Sequence, residues 1–176
     1  GTGRINDLVT EILLSYTTNE LLPEIYSIHH LLDEILALTA DRIMMKNINV
    51  QKYYTTLDCE ILVNKHKIKI ALTNIIINAI DAMPPKDGQL ILVTKSVNNK
   101  CIILITDNGV GISKENIKNI FKPYVTNKVG GMGLGLSTTL EILLSHKAGV
   151  SVQSELGKGT TFTLSFDRLV PQALCG

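Results

Sequence analysis

Residues 74–83 run Asn-Ile-Ile-Ile-Asn-Ala-Ile-Asp-Ala-Met. Carried back to Asn64, the segment sets Ile68, Ala71, Leu72, Ile75, Ile76, Ala79, Ile80 and Met83 at helical spacing, a broad apolar face that has to be buried. Asn64 stands where an N-cap belongs, and Pro84-Pro85 stops the helix. Asn74, Asn78 and Asp81 fall at i, i+4 and i+7, one polar stripe on another face. Asparagine is a poor helix former, so two on one stripe of an apolar helix need a reason. Either the stripe is solvated surface, or its amide oxygens face a ligand. A neutral Asn oxygen suits Mg²⁺ when phosphates already supply the negative charge.

Downstream, the apolar runs Leu90–Val97 and Cys101–Asp107 are joined by Asn98-Asn99, a hairpin signal. The second run ends in Asp107-Asn108-Gly109-Val110-Gly111-Ile112. A carboxylate at a strand end, followed by two glycines, can enter a pocket while the backbone bends closely round a ligand. Such a carboxylate accepts a hydrogen bond from an exocyclic amine, which favours adenine over guanine. Alone, Asp-x-Gly-x-Gly is also ordinary turn sequence. Ser113 caps a brief helix to Ile120. Gly130-Gly131-Met132-Gly133-Leu134-Gly135-Leu136-Ser137 then leads into a helix over 134–147, ended by Gly149. Glycines there let backbone N–H groups approach phosphate, and the helix N-terminus adds partial positive charge. This is neither a dinucleotide fingerprint nor a Walker loop. Lys128 lies close enough upstream to reach a phosphate, or is a solvated loop lysine. Val150–Glu155 and Thr160–Phe166 form the last hairpin around Gly157-Lys158-Gly159, with Phe162, Leu164 and Phe166 on its buried face.

Upstream, a helix over Ser27–Lys46 turns Ile28, Leu31, Leu32, Ile35, Leu36, Leu38, Thr39, Ile43 and Met44 inward, and Ile48–Tyr54 and Glu60–Val63 read as strands. Ile5, Leu8, Val9, Ile12, Leu13 and Tyr16 mark a short amphipathic helix, packed on its own domain or forming the tail of a coiled coil. The fold class is α+β, a mixed sheet with helices on one face. The chain has 176 residues, 45% hydrophobic and 19% charged, with formal net charge +1. Those values suit one domain with a real core, and they give no strong field for nucleic acid or a membrane surface. No apolar run reaches the ~18 residues of a membrane span. Cys59, Cys101 and Cys175 are odd in number and far apart, which argues against a disulfide framework and for a reducing, cytoplasmic setting. Nine of the 13 glycines fall between Gly109 and Gly159, so the special backbone is concentrated in one stretch.

Taken in order, these motifs give the chain a resemblance to the ATP-binding domain of bacterial sensor histidine kinases, in the wider family shared with gyrase, the Hsp90 chaperones and MutL. It runs over about residues 23–167. Residues 74–83 resemble the N box, Asp107–Ile112 the first glycine box and Phe121-Lys122-Pro123-Tyr124 the F box. Gly131–Leu136 resembles the second glycine box and Gly157–Phe162 the last. The resemblance implies a two-layer α/β sandwich of the Bergerat type, its sheet mostly antiparallel, with a mobile lid over Tyr124–Met132. It implies that Asn78 coordinates Mg²⁺ and that Asp107 contacts the adenine amine beside Gly109, Gly111 and Ile112. Asn74, Asp81 and Ala82 would line the site. Lys128, Gly133, Leu134 and Gly135 would hold the phosphates, Tyr124, Gly131, Met132 and Leu136 would belong to the same nucleotide site, and Thr160 would sit near adenine.

Relatives that hydrolyse ATP carry a glutamate where this chain has Asn74, which is no general base, so transfer to a side chain is favoured over hydrolysis. With Lys128, the catalytic set is Asn74, Asn78 and Lys128. No phosphoacceptor box is present, because His29-His30-Leu31-Leu32-Asp33 lacks the adjacent acid. His66 and His146 read as surface positions. The expected organisation is residues 1–19 as a stub of the dimerisation helix, 20–168 as the ATP domain and 169–176 as a tail. The implied partners are ATP, the dimerisation domain of the same kinase, a response regulator and, in the full protein, a second copy. Two readings stand beside it: a binding module without transfer, and a serine kinase of the anti-sigma type.

Overall fold

The computed structural model describes residues 22–57, 59–122 and 135–169. In chain order the elements are β1 (Glu24–Ser27), α1 (Ile28–Leu38), α2 (Ala40–Met45), β2 (Asn49–Tyr53), β3 (Glu60–Val63), α3 (Lys65–Ala82), β4 (Gln89–Val97), β5 (Lys100–Asp107), α4 (Lys114–Ile117), α5 (Gly135–Ser145), β6 (Gly149–Glu155) and β7 (Gly159–Asp167). Five strands form one sheet in the order β2-β4-β5-β7-β6, and β1 pairs with β3 beside it. Only β2 with β4 is parallel; the other pairs in that sheet are antiparallel. The alternation expected of the last strand is present, with Phe162, Leu164 and Phe166 of β7 on the buried face, and Cys101, Ile103, Ile105 and Asp107 of β5 point to the same face.

That face is covered by helices. Ile68, Ala71, Leu72, Ile75, Ile76 and Ile80 of α3 join Ile28, Leu31, Leu32 and Ile35 of α1 and Ile142 and Leu143 of α5 in one core. On the opposite face Ile91, Val93, Ile102 and Leu104 are only half-buried. The expected two-layer sandwich is therefore what forms, with α3 as its central helix. The Asn64 side chain accepts the Lys67 N–H at 3.1 Å, and Met83 turns extended before the prolines, so α3 begins and ends where sequence places it. Asn98 and Asn99 both take left-handed φ (53° and 62°), the twist that a two-residue hairpin needs.

Several expectations need correction. The single helix over Ser27–Lys46 is divided at Thr39, whose hydroxyl donates to the Ile35 carbonyl at 2.9 Å and competes with the backbone ladder. Of the residues expected to face inward, Leu38 just before the break is 65% exposed and Met44 beyond it 70%. The short strand β1 was unforeseen; it pairs with β3, whose Ile61 is buried, as is Cys59 just before it. The helix after Ser113 stops at Ile117, and Gly149 opens β6 while Lys147 supplies the positive φ after α5. His146 is not a plain surface residue, since its Nε2 accepts the Asn64 N–H at 3.1 Å. Cys59 and Cys101, 42 positions apart, are joined by a disulfide with Cα atoms 5.6 Å apart. The spacing hid this pair because the approach to β3 reaches β5 only in three dimensions, and the cysteine argument for a reducing setting falls with it. The expected stalk helix at Arg4–Tyr16 and the expected lid lie outside the described residues. Pairing continues to Leu169, whose N–H donates to the Glu60 carbonyl at 3.0 Å.

The packing makes a contrast testable on one helix. Ile76 is fully buried and Ile70 is 39% exposed. Ile76→Ala should lower unfolding free energy by about 2–5 kcal/mol and Ile70→Ala by about 1 kcal/mol or less, read by urea titration. Equal losses would contradict this burial of α3.

Candidate functional site

The last turn of α3, the end of β5, the loop that follows, and the first two residues of β7 converge on one place. Asp107 is the final residue of β5, paired with Leu90 on one side and Thr160 on the other. The residue is 5% exposed, and its Oδ1 accepts the Gly109 N–H at 2.8 Å. Burial pushes its pKa up to about 6, against the opposing pull of N–H groups from Gly109 and Thr160. A buried carboxylate without a cation is expensive to keep, so this one is a candidate for recognition.

The loop after Asp107 is clamped from both sides. Val110 N–H donates to the Ala82 carbonyl at 3.0 Å, and the Val110 carbonyl accepts Gly157 N–H at 2.8 Å. A Cβ at position 109 would lie 2.5 Å from the Ala82 carbonyl oxygen, so only glycine allows α3 to approach this closely. Gly111 has φ +75°, and a Cβ there would lie 2.1 Å from the Glu155 carbonyl oxygen. Ile112 N–H donates to Ser154 Oγ at 2.7 Å, and Ser154 also contacts the Thr160 hydroxyl at 2.7 Å. Asn108 fixes the near side by accepting Gln89 N–H and donating to the Asp87 carbonyl, each at 2.8 Å.

A second junction joins α3 to α5. Asn74 Nδ2 donates to the Gly135 carbonyl at 3.0 Å and to Thr139 Oγ1 at 3.3 Å, while Thr139 donates to the same carbonyl at 2.7 Å. The amide of Asn74 thus holds the first turn of α5 against α3. Gly135 and Leu136, half-buried, lie in that turn. Asn78 is half-buried one turn further along α3, with Asp81 exposed and Ala82 half-buried at the end.

Asp107, Gly109, Gly111, Ile112, Thr160 and Ala82 are therefore brought together, with Asn78 and Asp81 on the adjoining helix turns. Asn74 and Gly135 meet at the second junction. Tyr124, Lys128, Gly131, Met132, Gly133 and Leu134 lie outside the described residues. Ser154, Asn108 and Thr139 also shape the site, and sequence gave no sign of the first and last. Ser154 reads as one more polar residue of an edge strand, and Thr139 as one of two helix threonines. His29 is remote: its Nε2 lies 2.8 Å from Thr94 Oγ1, and Thr94 pairs with Ile103, far along the sheet from Asp107. Among the described residues no group of three or more His, Cys, Asp or Glu is placed to hold a metal. Asn78 offers a neutral oxygen, a donor that fits a hard cation arriving with phosphates.

The model of the family described as histidine kinase-, DNA gyrase B-, and HSP90-like ATPase matches residues 63–169. Sporulation kinase C of Bacillus subtilis (strain 168) is 31% identical over 160 residues, covering 90% of this chain and 37% of that protein. Sporulation kinase D of the same organism is 32% identical over 164 residues, covering 92% and 32%. The chain thus spans about a third of the length of these curated relatives. The solved catalytic domain of histidine kinase ThkA superposes with a TM-score of 0.75 at 24% identity, covering 83% of this chain and 95% of that one. ThkA has also been solved in complex with response regulator protein TrrA (TM-score 0.73, 23% identity, 96% and 48% coverage). With its succession of glycine motifs, its central Asn-bearing helix and this fold, the chain belongs to the family of histidine kinase-, DNA gyrase B- and HSP90-like ATPases.

Proposed function

We propose that this domain binds Mg²⁺–ATP and transfers the γ-phosphoryl group to a histidine on a dimerisation domain outside this chain, for onward passage to a response regulator. The observation that carries the reading is the buried Asp107 carboxylate, held at a strand end between the glycine loop and Thr160. Its free lone pairs suit the adenine amine, and Gly111 keeps side-chain bulk away from the base. Thr160 adds a hydroxyl already oriented by Ser154. Asn78 would hold Mg²⁺, which when bound neutralises phosphate charge. Asp81 and Ala82 line the turn beside it. The segment with Tyr124, Lys128 and residues 131–136 would take the phosphates, leading into the N-terminus of α5.

Phosphoryl transfer needs positioning and charge neutralisation rather than covalent help from the protein. Asn74 supplies no base for water and spends its amide on Gly135, which favours an incoming imidazole over hydrolysis. The imidazole nitrogen forms the new P–N bond as the bond to the β-phosphate oxygen breaks, releasing ADP. The reading extends to residues 1–19 as the end of a dimerisation helix, 169–176 as a tail, a homodimeric parent and a cytoplasmic location, where ATP is found. Among the described residues no helix is long and apolar enough to cross a membrane.

Supplied with the purified dimerisation domain and radiolabelled ATP, the chain should form acid-labile, base-stable phosphohistidine on that partner. Asn78→Ala should keep the fold and lose transfer, with Mg²⁺-dependent ATP affinity down by on the order of tenfold, about 1.4 kcal/mol. Nucleotide binding without phosphohistidine would reduce the domain to a binding module.

Asp107 gives a pH signature. Its ionised form is the better acceptor for the adenine amine, so adenosine affinity should fall as pH drops through about 6. A folded pKa above the unfolded 3.8 means that burial disfavours the ionised form. This group's contribution to stability therefore becomes more favourable as pH falls from about 6 towards 3.8. Asp107→Asn should remove both trends and weaken ATP roughly ten- to hundredfold while sparing inorganic triphosphate. Equal loss for both ligands would rule out the adenine contact.

A further inference from the structure

We propose that Lys46, which belongs to no glycine box and lies outside the site, is a positioning residue for it, acting through the last turn of α3. The final carbonyls of a helix have no partner inside it, and a cation there meets the negative end of the helix dipole. The Lys46 ammonium lies 2.9 Å from the Ile80 carbonyl oxygen, 2.9 Å from that of Met83 and 3.3 Å from that of Asp81. An ammonium has three donors, and these carbonyls take them all. The carbonyl they skip, that of Ala82, is taken by Val110 N–H at 3.0 Å. Lys46 and the glycine loop therefore divide one helix end between them.

The lysine is itself tethered. Lys46 N–H bonds the Arg42 carbonyl at 3.2 Å, Asn47 N–H that of Met44 at 3.1 Å, and Ile48 N–H that of Ile43 at 3.0 Å. Asn47 takes a left-handed φ of 52°, which turns the chain from α2 into β2. Ile48 is then buried in the core, and Asn49 N–H donates to the Gly88 carbonyl at 2.8 Å. A Cβ on Gly88 would meet Ile48 Cγ1 at 3.0 Å and Met83 Cβ at 3.3 Å, so Gly88 fits closely against both the lysine's anchor and the residue that follows α3.

The turn held in this way carries Asp81 and Ala82 and follows directly on Asn78. If its carbonyls were released to water the turn would fray, and the Ala82–Val110 bond that sets the loop after Asp107 would loosen. Lys46 thus acts on ligand binding without touching ligand.

The inference rests on the nucleotide-site reading, and the test separates the two. Lys46→Met keeps the length of the side chain and removes its donors and charge; Lys46→Arg keeps both. Each is titrated with Mg²⁺–ATP well below its melting temperature, and amide hydrogen exchange is followed at Val110 and Met83. Lys46→Met should bind roughly three- to tenfold more weakly, with faster exchange at both amides, and Lys46→Arg should recover most of the affinity. Unchanged affinity and exchange in Lys46→Met would overturn the proposal. So would equal weakening in both variants in proportion to lost melting temperature, which is plain destabilisation. If the wild-type chain binds no nucleotide, the functional reading fails, and exchange at Val110 still decides the clamp: faster in Lys46→Met supports it, unchanged overturns it.

Discussion

The hydrogen bond from Val110 N–H to the Ala82 carbonyl is the contact on which the site depends. It joins the end of the central helix to the loop that leaves the central strand, across a gap that admits no side chain at Gly109. Everything proposed for recognition hangs from that junction. Asp107 is two residues before Gly109 on one side, and Asn78 is one helical turn before Ala82 on the other. A helix whose apolar face is buried along its length is a rigid support for such a junction, and rigid elements hold polar groups in place better than loops do.

The electrostatics fit the same arrangement. An ionised carboxylate on a residue only 5% exposed would ordinarily be avoided in a domain of this size. Here two backbone N–H groups partly compensate for lost water, and the pKa settles near 6 rather than in the usual carboxylate range. On the proposed reading, the adenine amine adds a further donor to this carboxylate. Asn74 tells a complementary story at the other junction. Its amide is used to hold α5, which leaves that position structural as well as chemically inert towards water.

Much of this was legible before the fold was known, and the reasons are specific. The face of α3, its Asn64 cap and its proline stop are local signals, repeated over many residues, and each formed as expected. Asp107, Gly109 and Gly111 were legible because close backbone approach leaves glycine at fixed spacings. Long-range partners were not. Lys46 reads as one more exposed lysine at a helix end, and nothing near it in sequence reveals that its ammonium reaches three carbonyls beyond position 79. The Cys59–Cys101 disulfide and the Asn64–His146 contact were hidden for the same cause. The break at Thr39 was missed because a threonine that turns its hydroxyl on the preceding carbonyl leaves the apolar periodicity almost intact.

On the proposed reading, adenine nucleotide sits between the last turn of α3 and the glycine loop beside Asp107. The most direct measurement is a titration of the isotope-labelled chain with a non-hydrolysable Mg²⁺–ATP analogue, following backbone amide shifts. The predicted result is that the largest changes fall at Gly109, Val110, Gly111, Ile112 and Thr160, with Thr94 and the β2 edge unmoved. Absence of any shift at millimolar analogue, or shifts centred away from Asp107, would contradict it.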